Sequence, residues 1–412
     1  MKRKLILALT GIIISVSIAG CKVEYAEDIT SAEETQTGNE ETVIRVRYSD
    51  ERFTSYLEYC EAEYERANTD IDVILELVSS ENYINEINSD SASGHNVPDV
   101  YMAVNSDLGT LYLAGLASKN TSEEFGTDNY CETAVNACSY NGNLVAYPLA
   151  YETSFLLYNT DFLKKADTVS FAALQEYSEN AVFLSEESAS IESVFRCEIN
   201  DMFTNYGYIS DGMVIGGDCG DDSTKLSIVN DTVINAAEEY LALIDYFSIS
   251  TKNTYEGCIK KFNSGSFLSV IATTSSLASI ESSDIAYGIS AYPDYNDETG
   301  TSPLSITTVL AVNPFSSNTE TAADFAEFAT AGQADSLYGL AKLPSCRRDV
   351  QYENSAIGSI YESYAKSTPK NKLIYGEQVY PLLEIALHNI VAGEDIETEL
   401  TEVDDYMKAQ VD

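Results

Sequence analysis

Residues 42–77 read TVIRVRYSDERFTSYLEYCEAEYERANTDIDVILEL. Apolar and polar side chains alternate over Val43–Tyr48, the period-2 pattern of a strand. The spacing then changes. Phe53, Tyr56, Leu57, Cys60 and Tyr64 fall on one face of a helix over 52–68. A second β-rich run, Ile71–Leu77, follows. A strand, a helix and a strand in this order predict a crossover unit and an α/β architecture.

The same alternation continues outward. PDVYMAV (98–104), FLSVIA (267–272) and TTVLAVN (307–313) are further β-rich runs, while NAAEEYLALIDYF (235–247) and ETAADFAEFAT (320–330) repeat helical spacing. The last helix, in YPLLEIALHNIVAG (380–393), ends on Gly393, a suitable residue to follow a helix C-terminus. The reading is therefore α/β, with mostly parallel sheets flanked by helices. At 412 residues the chain exceeds one core, which predicts two lobes.

The N-terminus has another character. Lys2, Arg3 and Lys4 precede an uncharged run to Ile18, and Ala19 and Gly20 come directly before Cys21. This is the pattern of an export signal, too short for a comfortable membrane span. Ile18-Ala19-Gly20-Cys21 resembles a bacterial lipobox, which implies residues 1–20 as a lipoprotein signal peptide and Cys21 as the lipid-anchored (palmitate-bearing) N-terminus. Residues 22–41 are acidic and poor in large apolar side chains, so they read with Cys21 as a flexible tether. The expected location is the extracytoplasmic face of the cell membrane.

Composition excludes some partners. The net charge is −43, and three of the 23 basic residues belong to the leader. Such a surface repels nucleic acid and favours a soluble monomer. Besides Cys21 there are seven scattered cysteines, an odd number that makes no disulfide framework. Cys131 with Cys138, or Cys197 with Cys219, are conceivable pairs; buried thiols acting as small hydrophobes are the alternative.

No catalytic set emerges. The two histidines, His95 and His388, stand without a nucleophile elbow, and clustered zinc ligands are missing. GGDCGDD (216–222) lacks the glycine order of a phosphate loop. Asp218, Asp221 and Asp222, or Asp294, Asn296 and Asp297, are acidic turns that offer oxygen ligands without the EF-hand pattern. The expectation is a binding protein with no cofactor, no metal and no enzymatic activity.

Six segments in order resemble extracellular solute-binding proteins of bacterial ABC importers, the maltodextrin- and oligosaccharide-binding branch. They are VPDVYMAVNSDLGTLYLAGL (97–116), YNGNLVAYPLAYETSFLLYNTDFL (140–163), CIKKFNSGSFLSVIA (258–272), AYGISAYPDY (286–295), ETAADFAEFAT and ALHNIVAGE (386–394). The resemblance implies a two-lobed periplasmic-binding-protein fold with three crossover segments, near Tyr151–Phe155, Gly288–Pro293 and Leu343–Arg348. One lobe would be 42–151 plus 292–344 and the other 155–288 plus 349–412, closing over a carbohydrate and presenting it to permease subunits.

By the same resemblance Glu152 faces the cleft and accepts hydrogen bonds from sugar hydroxyls. Asn105, Ser106 and Asp107 follow the strand at 100–104, and Asp50, Glu51 and Arg52 follow the first strand. There Asp50 has an alternative role as a helix N-cap. Sugar rings stack on aromatic side chains, and this chain has no tryptophan. Ala103 and Ser275 stand where the family carries aromatics; Tyr380 retains one, and Tyr206 is a substitute. Two other readings keep the fold: a polyamine or other cationic solute held by Asp50, Asp107 and Glu152, and a surface sensor or adhesin without a transport role.

Overall fold

The computed structural model describes residues 42–181 and 190–411. The leader, Cys21 and the tether lie outside the described residues. The opening unit forms as its pattern dictates. β1 (Thr42–Tyr48) and β2 (Ile71–Leu77) pair in parallel, from Thr42 opposite Ile71 to Tyr48 opposite Leu77. The helix between them, Thr54–Ala67, buries Tyr56, Leu57, Cys60 and Tyr64. Phe53 is buried too, but in the 3-10 turn Glu51–Phe53 ahead of the helix.

β3 (Val100–Val104) joins β1 in parallel. Two short hairpin strands follow, β4 (Ser139–Tyr140) and β5 (Asn143–Leu144), and then the thirteen-residue β6 (Tyr147–Asn159). Further along are β7 (Ser193–Arg196), β8 (Val214–Ile215), β9 (Leu226–Ser227), β10 (Phe267–Thr273) and β11 (Tyr287–Ser290). β12 (Leu304–Val312) and β13 (Thr368–Pro369) complete the set.

A single sheet path runs β2-β1-β3-β12-β6-β10-β7, with β11 also on β6 and β13 on β12. Pairing is mixed rather than mostly parallel. The outer pairs are parallel, but β12 and β6 meet all their long neighbours antiparallel. The long central strands account for this: each runs between groups of strands instead of returning through a crossover helix.

β6 changes partners midway. Tyr147–Thr153 lie against β12, and Ser154–Asn159 lie between β10 and β11. The chain thus passes from one α/β layer to another inside one strand. Two more passages lie beside it. β11 leaves β6 toward Tyr292, and residues 344–346 run along β6, with Tyr151 N donating to Pro344 O and Cys346 N to Leu149 O. Residues 292–303 pack with the group that follows β6: the Tyr292 and Tyr295 hydroxyls donate to Thr204 O and Tyr208 O of the helix Met202–Ile209.

The helix Ile360–Ala365 ties these passages together. Ser363 Oγ donates to Ser154 O and accepts from Tyr292 N, while Tyr364 stacks on Tyr151 at 4.0 Å. Side chains alternate faces along a strand, so this helix covers the face of β6 opposite Glu152. All seven described cysteines are free, and six are buried among apolar neighbours. Among the described residues no helix is long and apolar enough to cross a membrane.

Candidate functional site

β6 reads YPLAYETSFLLYN, and Glu152 is its one charged residue and its one position that is not buried. A carboxylate in such a strand needs a partner or solvent, and it has both. Arg52, in the turn after β1, reaches Glu152 Oε1 through Nη2 at 2.7 Å. The same nitrogen donates to Asp50 Oδ2 at 2.6 Å, and Nε donates to both Asp50 oxygens at 3.1 and 2.9 Å. Asp50 Oδ1 also caps the turn by accepting Arg52 N at 3.0 Å, the alternative role read from the sequence. Burial pulls the Arg52 guanidinium down, but its hydrogen bonds to Asp50 and Glu152 carry it above its ordinary value.

Two cavities meet at this carboxylate. One, of about 300 Å³, is lined by Asp50, Arg52, Asp107 and Glu152 among others. The second, of about 410 Å³, is lined by Glu152, Ser275 and Tyr380 among others. The structure therefore brings together six of the ten residues singled out in the sequence. Burial pushes the Asp107 carboxyl above its usual range, and a hydrogen bond from Val104 N offsets part of this.

The other four stand apart from both linings. Asn105 is fully buried, donating through Nδ2 to Lys370 O at 2.6 Å and accepting from Thr307 N at 2.9 Å. It ties β12 to the segment around β13. Tyr206 is also buried, edge-on to Tyr380 with ring centroids 6.4 Å apart. Glu51 is exposed and Ser106 half-exposed.

Several lining residues carried no sequence signal. Glu81 and Asn82, in the loop after β2, and Tyr83, the first residue of the helix Tyr83–Ser93, reach the first cavity. Asp201, Phe203, Lys370 and Glu384 reach the second. Asp201 caps the helix Met202–Ile209 through Thr204 N, and Glu384 accepts Met202 N at 3.2 Å. Ala103 lines the first cavity, where Tyr83 supplies an aromatic wall; Phe203 and Tyr380 supply one in the second. Carboxylates outnumber cations in both linings, so the cleft offers mainly acceptors to hydroxyl or ammonium donors.

The acidic turns have other occupations. Lys366 Nζ sits in the turn at 292–301, on Tyr292 O and Asp294 Oδ1 at 2.8 Å each and Thr301 Oγ1 at 3.1 Å. Of the three polar residues read from this turn, Asp294 is thus paired with an internal ammonium, while Asn296 Oδ1 accepts Glu298 N and Thr299 N. Asp221 accepts Asn141 N at 2.6 Å, and Asp222 accepts Thr224 N at 3.0 Å. Among the described residues, no group of three or more His, Cys, Asp or Glu side chains is placed to hold a metal.

Comparisons with known proteins agree with this architecture. A profile of the bacterial extracellular solute-binding protein family matches residues 61–353. The maltodextrin-binding protein MdxE of Bacillus subtilis (strain 168) is 21% identical over 361 residues, 84% of each chain. An extracellular solute-binding protein from Staphylococcus aureus, solved with maltose, superposes with a TM-score of 0.79 at 16% identity over 90% of this chain and 98% of that one. The maltose-binding protein MalE of Listeria monocytogenes, also with maltose, gives 0.75 at 19% identity over 90% and 98%. A cyclo/maltodextrin-binding protein with maltotetraose gives 0.77 at 15% identity over 90% and 97%. The fold is the two-lobed one of periplasmic binding proteins, and with more than half its length matched by the family profile, the chain belongs to the bacterial extracellular solute-binding proteins.

Proposed function

We propose that this protein captures a maltodextrin-class oligosaccharide between two lobes, outside the cytoplasm, and delivers it to the permease of an ABC importer. The observation that carries the reading is Glu152: a lone charge in the buried strand that joins the lobes, held by Arg52 and shared by both cavities. A carboxylate so held accepts hydrogen bonds from adjacent sugar hydroxyls without reorganising. Asp50, Asp107 and Ser275 add polar contacts, and Tyr83 and Phe203 provide apolar surface in the absence of tryptophan. The names of the similar proteins, which bind maltose or maltodextrin, support the ligand class.

The lobes are proposed as 42–151 plus 304–344 and 155–288 plus 349–411, with residues 292–303 assigned to the second because Tyr292 and Tyr295 pack in its core. Acylation of Cys21 would hold the protein at the membrane, since each buried methylene adds about 0.8 kcal/mol of membrane affinity. The role is one of binding, not catalysis.

The excess of carboxylates in the cleft favours a second reading, a cationic solute. Calorimetry against maltose, maltotriose, maltotetraose and spermidine separates the two. The carbohydrate reading predicts binding to the maltodextrins that changes little between low and high salt. Spermidine binding that salt abolishes, with no sugar bound, would replace it with the cationic reading.

A further inference from the structure

We infer that Lys370 is a specificity-determining residue: its ammonium covers the face of Tyr380 and closes one end of the cleft to a sugar ring. The inference rests on the carbohydrate reading above. Lys370 and Tyr380 both line the second cavity. Lys370 Nζ stands 4.9 Å from the centroid of the Tyr380 ring and 2.9 Å from Glu377 Oε2. An aromatic face attracts an ammonium and the C–H surface of a sugar through the same π-cloud, so one excludes the other.

Neither partner is free to swing aside with its backbone. Lys370 N donates to Ser305 O at 2.9 Å, and Lys370 O accepts Asn105 Nδ2 at 2.6 Å. This gives buried Asn105 its role: it fixes the strand from which the ammonium projects. The Tyr380 hydroxyl accepts Asn371 N and Nδ2 at 3.0 and 3.1 Å, and Tyr206 abuts its ring. Tyr380 is 7% exposed and lines the cavity. By contrast the ammonium lies on the ring and pairs with Glu377, whose side chain is more than half exposed, with Asp107 near enough to feel its charge. Exposed ion pairs of this kind are weak. The cap is therefore local, and truncating Lys370 leaves the backbone bonds in place.

The test is the ratio of maltotetraose to maltose affinity, by calorimetry, in wild type, Lys370→Ala and Glu377→Gln, with melting curves to confirm that each variant is folded. Removing the cap opens a stacking surface that only the longer sugar reaches. The ratio is expected to rise about tenfold in Lys370→Ala, the size of one stacked aromatic contact, and by a smaller factor in Glu377→Gln. Lys370→Met, which keeps the apolar stem, should fall between wild type and Lys370→Ala. An unchanged ratio in Lys370→Ala, or an equal loss for both sugars, overturns the inference while leaving the carbohydrate reading intact. A wild-type protein that binds neither sugar overturns both.

Discussion

Glu152→Ala is expected to weaken maltodextrin binding about a hundredfold while shifting stability by less than about 1 kcal/mol. Hydrogen bonds to a charged acceptor contribute about 1.5–3 kcal/mol each, and loss of the pair that Glu152 offers to adjacent hydroxyls accounts for the factor. Stability is spared because Arg52 keeps three bonds from its side chain to Asp50 and is 41% exposed, so no buried charge is stranded. Glu152→Gln, which keeps the shape and one acceptor, should lose less, about tenfold. Calorimetry and a thermal melt on the same samples check both halves. Affinity within threefold of wild type would remove Glu152 from the site.

The second large effect is alkaline. Burial pushes the Cys60 thiol up to about 12 and the Cys258 thiol up to about 11, and burial raises Cys138, Cys197 and Cys346 further. Burial likewise raises the phenols of Tyr56, Tyr151, Tyr208, Tyr240, Tyr292, Tyr295 and Tyr364 well above their ordinary value. The folded chain keeps these protons where the unfolded chain loses them. Their stabilisation is complete below the unfolded values, near 9 for the thiols and near 10 for the phenols, and is lost progressively as pH rises from there through the folded values.

Lys372 opposes the trend. Burial lowers its ammonium to about 8, so between there and the unfolded value near 10.5 it contributes stability as pH rises. Burial lowers the Lys366 ammonium as well, but two lysines against five thiols and seven phenols lose. The net effect between pH 8 and pH 10 is a fall in stability. Melting temperatures under reducing conditions should therefore change little to pH 8.5 and drop steeply by pH 10. A flat profile to pH 10.5 would mean that the thiols and phenols are not sequestered from water.

Much of the fold was legible because its signals are local. The change from period 2 to helical spacing within residues 42–77 sufficed for β1, its helix and β2. Glu152 came from the resemblance of residues 140–163 to the family, and the strand around it, buried at every other position, shows why a carboxylate there needs a partner or solvent. Tyr206 is a core residue rather than a wall of the cleft. The helix MFTNYGYI has no charged residue, and a helix apolar on every side is a buried one. Asn105 was placed in the cleft by its position after β3, but its bond partners lie 202 and 265 residues away. The same distance hid Lys370. Nothing near it in sequence tells that β13 passes the end of β3. The proposed reassignment of residues 292–303 rests on contacts equally remote in sequence: the hydroxyls of Tyr292 and Tyr295 find acceptors 88 and 87 positions away.

Small-angle X-ray scattering with and without saturating maltotetraose tests the central claim most directly. Two lobes hinged on β6 and its neighbouring passages predict a smaller radius of gyration with sugar, no such change with a non-binding disaccharide, and no change in Glu152→Ala at the same sugar concentration. Superimposable profiles with and without a sugar that calorimetry shows to be bound would contradict it.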